Sequence, residues 1–210
     1  LSRREADEYV QKGRVQINGT LAEIGARVHA GDSVAIDGRP ITSVAYEYIA
    51  LNKPVGYVCS RKQQGDAPTM YELLPENYRN LKAVGRLDKD RSGILLLTND
   101  GDFAHQMTHP SFQKTKIYEV TLLQPLQPLH QQMISDFGVM LEDGKSQFSI
   151  SKCDGTDNQY EIVMREGRNR QIRRTLAALG YDVTALHRIQ FGPYQLLGLA
   201  PGQYRVVAAA

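Results

Sequence analysis

Polar and apolar positions repeat along this chain with two periods, and their arrangement changes near residue 46. In "SRREADEYVQKGR", residues 2–14, Ala6, Tyr9 and Val10 recur at helical spacing, and Gly13 ends the pattern. In "VQINGTLA" the period drops to two, with Val15 and Ile17 apolar before Asn18-Gly19, a strong signal for a tight hairpin. "DSVAIDGRPI" repeats the device with Asp37-Gly38. Residues 1–43 are therefore expected to form a small unit of one helix and hairpins, too small to be an enzyme, with a soft boundary at "TSV" (42–44).

From Tyr46 to residue 210 the pattern predicts a larger unit. "YEYIALNKP", "LKAVGRLD", "GILLLTN", "KIYEVTLL", "QYEIVMRE", "DVTALHRIQFG" and "GQYRVV" read as strands. "TMYELLP", "DGDFAHQMTH", "PLHQQMISDF" and "NRQIRRTLAAL" read as helices, the last with Ile172, Leu176 and Leu179 on one stripe and Gly180 closing it. Strands dominate without regular alternation with helices. That pattern favours an α+β fold on a mixed, mainly antiparallel sheet with flanking helices over a doubly wound one.

Composition changes this picture little. The hydrophobic content is 41% and the charged content 23%, ordinary for a globular chain. No apolar run approaches the roughly 18 residues of a membrane helix. Cys59 and Cys153 stand far apart without a C-x-x-C, as expected of reduced thiols in a cytoplasmic protein. A net charge of +2 does not announce a nucleic-acid partner, but "REGRNRQIRR" (165–174) packs five arginines against the single acid Glu166. A phosphate-rich partner is the simplest reason for such a run, although a solvated helix face is the commoner one.

Candidate chemistry centres on "AVGRLDKDRSG", residues 83–93, where Asp88 and Asp90 are interleaved with Arg86, Lys89 and Arg91. Asp88 falls where a strand ends and a Gly-terminated loop begins, a common place to present a functional group. If sheltered, its carboxylate requires a cationic partner. On a helix over 169–179, Arg170 and Arg174 lie opposite the apolar stripe, while Arg173 flanks it at about 100° of rotation. Arg173 is therefore placed to reach a protein cleft while its neighbours face outward. By itself an Asp-Lys-Asp is more often a solvated loop, and Tyr118 is by default a half-buried strand tyrosine. The five histidines (29, 105, 109, 130, 187) lack metal-site spacing, and Ser60 and Cys59 lack a nucleophile setting.

Taken together, four stretches are more specific. "GRLDKDRSG" resembles the G-R-L-D-x-D-x-S/T-G motif of the RNA pseudouridine synthases, and "LNKPVGYVCS" resembles their Lys-Pro-x-Gly segment. "KIYEV" resembles the Lys-x-Tyr motif and "EGRNRQIRRTLAALG" the C-terminal arginine motif, all in the family's order. The arrangement is similar to the bacterial branch that modifies single uridines of small- or large-subunit ribosomal RNA and carries an N-terminal S4-type (alpha-L) RNA-binding module. Residues 2–32 resemble that module.

The resemblance implies a fold: the module over 1–43, N-terminally incomplete, followed by a catalytic domain over 46–210. It also implies an activity, isomerisation of a specific uridine to pseudouridine by base flipping, in 23S rather than 16S RNA, by a cytoplasmic monomer without cofactor or metal. Asp88 is then the catalytic carboxylate, Tyr118 stacks on or deprotonates the uracil, and Arg173 pairs with Asp88. Arg86 fills the gap left by the flipped base, Ile172 contacts the substrate, and Lys53 to Gly56 are structural. Arg3, Arg4, Lys12, Arg14, Arg168, Arg170 and Arg174 contact RNA. Arg91 stands where small polar residues are common and is expected to face RNA. Two other classes remain open on the residues alone: a non-catalytic RNA-binding or ribosome-assembly protein, and a metal-dependent nuclease using Asp88, Asp90 and Asp102.

Overall fold

A computed structural model describes residues 3–42 and 44–210; Leu1, Ser2, Ser43 and the side chain of Arg3 lie outside the described residues, and with them the RNA contact expected of Arg3. The chain divides into two compact units, the first ending at Ala45 and the second running from Tyr46 to Ala210.

In the first unit, helix α1 (Arg3–Gln11) stops before Gly13, which takes a left-handed φ of 65°. Strands β1 (Val15–Ile17), β2 (Thr20–Leu21), β3 (Val34–Ile36) and β4 (Arg39–Pro40) form an antiparallel sheet in the order β2-β1-β3-β4. Both hairpin turns have positive φ at the two central residues, 51° and 81° at Asn18-Gly19 and 50° and 73° at Asp37-Gly38. That geometry matches the twist of the flanking strands and is why Asn-Gly and Asp-Gly sit there. Arg14 donates from Nε to Asp37 at 2.8 Å and covers the Tyr9 ring at 4.1 Å, so it fastens the second hairpin to α1. Arg4 and Lys12 are exposed, with Lys12 3.8 Å from Glu8.

The second unit contains β5 (Tyr48–Lys53), β6 (Lys82–Val84), β7 (Ser92–Thr98), α2 (Gly101–Thr108), β8 (Lys116–Leu122), α3 (Pro128–Gln132), β9 (Val139–Leu141), β10 (Gly144–Ser146), β11 (Ser149–Lys152), β12 (Gln159–Met164), α4 (Gln171–Ala178), β13 (Val183–Phe191), β14 (Tyr194–Gln195) and β15 (Tyr204–Val206). Nine of these strands form one sheet ordered β11-β12-β8-β13-β7-β5-β15, with β14 on β13 and β6 on β7. The β13–β7 pair is parallel and the other pairings are antiparallel, which is the mixed sheet expected. Fold class is therefore α+β, with a small four-stranded unit ahead of a larger unit built on a mixed, mainly antiparallel sheet.

The sheet centre is covered on both faces, which explains the unbroken apolar run in β7. Leu95 and Leu97 pack with Ile49, Met70 and Leu81, while Ile94 and Leu96 pack with Ala50, Phe103 and Phe191. A third cluster joins β8, β12 and α4 through Val120, Ile162, Ile172 and Leu176. Gly93 sets the spacing at the parallel pair. Its φ is 111°, and a Cβ there would lie 2.2 Å from the Arg188 carbonyl oxygen.

Three expectations are refined. "TMYELLP" is a 3-10 turn over Met70–Leu73, and "PLHQQMISDF" is a short α-helix widening into a π-helical turn at Met133–Phe137 that ends at Gly138. The β9–β10 hairpin, β11 and β14 are additional strands of two to four residues, too short to show a period. Among the described residues no helix is long and apolar enough to cross a membrane.

Candidate active site

The loop between β6 and β7 carries Arg86, Asp88, Asp90 and Arg91, and it is held from beneath. The Lys53 ammonium is fully buried and donates to the carbonyls of Pro54, Tyr57 and Arg91 at 2.9, 2.8 and 2.8 Å. The Gly56 amide donates to the Lys89 carbonyl at 2.8 Å. The Lys-Pro-Val-Gly stretch thus braces the loop from two points. Burial pushes the Lys53 pKa down, with Cys59, Asp88 and Asp90 acting against the shift.

Asp88 is about one-third exposed. Its Oδ2 is sealed without a hydrogen-bond partner and lies 3.0 Å from Arg91 Nε and 3.8 Å from Arg170 Nη1. Arg173 does not take the expected place beside Asp88. Its Nε lies 3.1 Å from Asp90 Oδ2, and it donates to the carbonyls of Asp90 and Val183 at 3.2 and 2.6 Å. Helix α4 starts at Gln171, preceded by Arg170 in a left-handed conformation, φ 45°. Arg91 is also corrected. Its side chain is 12% exposed and serves as the nearest cation to Asp88 rather than facing outward.

The other arginines of residues 168–174 are engaged by protein acids and carbonyls. Arg170 lies 3.1 Å from Asp90 as well as near Asp88. Arg168 donates to Asp143 Oδ1 at 2.9 Å and to the carbonyls of Asp143, Gly144 and Lys145 at 3.0, 3.2 and 2.8 Å. Arg174 forms a two-pronged pair with Asp143 at 3.0 and 2.7 Å. Arg174, then Arg168, hold the Asp143 carboxyl below the usual carboxylate range despite some burial. Arg170 remains exposed while Arg168 and Arg174 are partly buried, and all three are engaged by protein acids. They clamp α4 to the 85–91 loop on one side and to the β9–β10 hairpin on the other.

Tyr118 and Ile172 are 4% and 2% exposed and line a cavity of about 300 Å³ with Arg86, Arg91, Arg188 and Phe191. Asp88, Asp90 and Arg170 line a neighbouring cavity of about 570 Å³, with Arg86 common to both. The structure thus gathers Tyr118, Ile172 and Arg86 at one cavity and places Asp88 at the next, joined by Arg86 and by the Asp88–Arg91 pair. Among the described residues no group of three His, Cys, Asp or Glu is arranged to hold a metal ion. Asp102 lies in the first turn of α2, and Asp88 and Asp90 face arginines. Cys59 and Cys153 are free thiols.

Sequence reasoning directed Arg91 outward, gave Lys116 no role of its own and passed over Arg188. The latter two carried a signal. Lys116 alternates with Tyr118, Val120 and Leu122, and Arg188 with Leu186, so each charge shares the inward face of an apolar strand.

Residues 47–178 match the family model of RNA pseudouridylate synthase, and residues 1–34 match that of the S4 domain. The chain belongs to the RNA pseudouridylate synthase family. A ribosomal small subunit pseudouridine synthase A of Pasteurella multocida is 35% identical across 100% of this chain and 91% of its own length. A ribosomal large subunit pseudouridine synthase B of Pseudomonas aeruginosa is 35% identical over 97% of this chain. This chain spans 55% of that relative's length and 42% of the same-named protein of Xanthomonas campestris. A crystal structure of a pseudouridylate synthase superimposes with a TM-score of 0.72 at 31% identity, covering 99% of this chain and 91% of that one.

Proposed function

We propose that this protein isomerises one uridine of ribosomal RNA to pseudouridine, with Asp88 as the catalytic carboxylate. The carrying observation is the pair of adjoining cavities: a base-sized one lined by Tyr118 and Ile172, and one lined by Asp88, with Arg86 common to both. A flipped uracil fits the first, with its ribose directed towards the loop. A duplex hides the glycosidic bond, so the nucleotide must leave the stack at a cost of a few kcal/mol, offset by phosphate contacts. Arg86 is exposed and positioned to occupy the vacated stack.

The reaction breaks the C1′–N1 bond, rotates the base and joins C5 to C1′. Asp88 acts by attack on the sugar, by attack on the base or by removing a ribose proton. Tyr118 stacks on the ring or assists loss of the C5 proton. The S4-type unit contributes RNA affinity through Arg4, Lys12 and Arg14, which makes binding salt-dependent. Large-subunit RNA is the preferred substrate, because the relatives from Pseudomonas, Xanthomonas and Bacillus subtilis are named for that subunit. The partner is the rRNA itself or an assembly intermediate, met by a monomer in the cytoplasm.

The test compares wild type with Asp88→Ala on ribosomal RNA lacking pseudouridine, by nucleoside analysis and RNA retention. Pseudouridine from wild type alone, with both proteins retaining RNA, is the expected result. Inactivity of wild type on both subunit RNAs would overturn the reading in favour of a non-catalytic RNA binder. Carbodiimide-stop mapping in cells with and without the gene then identifies the uridine.

A further inference from the structure

The cavity lined by Tyr118 and Ile172 is also lined by two cations, Lys116 and Arg188. Arg188 is 3% exposed, and Tyr118 is its direct partner across the β8–β13 pairing. Paired residues of antiparallel strands share a face, with Cβ atoms about 5 Å apart. Arg188 donates from Nε to the Ile94 carbonyl at 2.9 Å, while its Nη2 is buried with no hydrogen-bond partner. Lys116, two residues before Tyr118 on the same face, makes only long contacts, 3.3 Å to the Lys114 carbonyl and 3.5 Å to that of Arg165. Both cations lie over the Phe191 ring, at 4.7 and 5.5 Å.

Neither cation forms an ion pair among the described residues. Seven basic residues line the cavity against one acid, Glu166, which is already shared between Arg168 and Gln171. A buried guanidinium with a free donor beside a second uncompensated cation is costly unless an anion arrives. The walls decide which anion: Tyr118, Ile172, Met107, Met164 and Phe191 form an apolar slot suited to a flat ring rather than to a phosphate.

We infer that Arg188, with Lys116 behind it, binds the carbonyl oxygens of the flipped uracil and stabilises the negative charge that builds on them during the reaction. The inference rests on the isomerase reading but not on the route taken by Asp88. When the C1′–N1 bond breaks, its electron pair stays on N1 and is shared with O2 and O4, while Asp88 either bonds C1′ or takes the ribose proton. When Asp88 instead adds to C6, the ring electrons move onto C5 and O4. The charge reaches O4 in each case, and O2 as well where the C1′–N1 bond breaks first, and it leaves when C5 bonds C1′ and the C5 proton is lost. Donors fixed where charge develops accelerate the step without tightening ground-state binding.

The test uses RNA carrying either uridine or 5-fluorouridine at the modified position, in single turnover with the full chain. Fluorine stabilises the ring anion and so reduces the need for Arg188. Loss of the intact nucleoside is the readout, because fluorine cannot leave C5 as a proton does. Arg188→Gln is expected to slow the uridine reaction about 100-fold and the fluorinated one about tenfold. RNA affinity is expected to stay within about twofold, and Arg188→Lys to recover part of the rate. If Arg188→Gln fails to fold, Lys116→Met carries the test, with the same direction and a smaller loss. Equal slowing of both substrates, or no slowing, overturns the inference while active wild type upholds the isomerase reading. Wild type inactive on uridine overturns both.

Discussion

Arg173 closes on Asp90, its Nε 3.1 Å from Oδ2 and its Nη2 3.2 Å from the Asp90 carbonyl, so the helix grips the loop two residues past Asp88. Arg173 is 16% exposed and Asp90 42%, which makes the pair worth less than a buried one. In a double-mutant cycle, Asp90→Ala and Arg173→Ala are expected to couple by about 1 kcal/mol in urea unfolding. Asp88→Ala and Arg173→Ala should add with little coupling. Stronger coupling in the second cycle would return Arg173 to Asp88.

Arg91 is the cation nearest Asp88, and most of its side chain is sheltered. A small polar residue here leaves Asp88 with Arg170 alone, 3.8 Å away and 44% exposed. Arg91→Ser is therefore expected to lower kcat about tenfold with little change in KM, because the lost contact positions the carboxylate proposed to react rather than RNA. Arg91→Lys should recover part of it. An unchanged kcat would show that Arg170 suffices.

His187 joins the start of β7 to β13 through its Nδ1, 2.8 Å from Ser92 Oγ. Burial lowers its pKa below 6.5, and Glu119, its cross-strand partner, only partly opposes the shift. The unfolded chain takes up this proton first. The contribution is therefore intact above pH 6.5 and is lost as pH falls through the folded value. Unfolding free energy measured from pH 7.5 downward should fall less steeply in His187→Asn than in wild type. Parallel curves would assign the acid sensitivity to carboxylates.

Arg168 holds the β9–β10 hairpin with one ion pair and three carbonyl contacts, at 23% exposure. Arg168→Ala is expected to cost about 2 kcal/mol of stability. The slope of RNA affinity against salt should stay the same, because no phosphate contact is removed. A slope reduced by about 0.7 would reveal a phosphate contact and restore the role first read from the sequence.

Much of the fold was legible because its signals are local. Asn18-Gly19 and Asp37-Gly38 adopt the turns their residue types favour, and the alternation in "KIYEVTLL" places Tyr118, Val120 and Leu122 on one buried face. Ion-pair partners were not legible in the same way. Helical spacing placed Arg173 on the flank of the Ile172–Leu176 stripe, but its partner Asp90 lies 83 residues away in the sequence, a pairing no local periodicity encodes. Likewise Asp143, which holds both Arg168 and Arg174, lies on a hairpin too short to show a pattern.

Gly93 links the loop chemistry to the sheet. It ends the "GRLDKDRSG" stretch, pairs with Arg188 across the parallel β7–β13 contact and has a φ of 111°. A methyl group there would sit 2.2 Å from the Arg188 carbonyl oxygen and 2.5 Å from its nitrogen, both backbone atoms that cannot rotate away. Gly93→Ala must either strain a conformation that L-residues rarely adopt or force the two strands apart. The cost is expected to be about 3–4 kcal/mol, lowering the melting temperature of the second unit by about 10 °C. Parting these strands also shifts the 85–91 loop against Arg188 and Tyr118. The loss of pseudouridine formation should therefore exceed the unfolded fraction at 25 °C. Calorimetry and single-turnover rates on the same preparation separate the two effects. A variant that melts like wild type would mean that the close approach at Gly93 is not what holds β7 to β13.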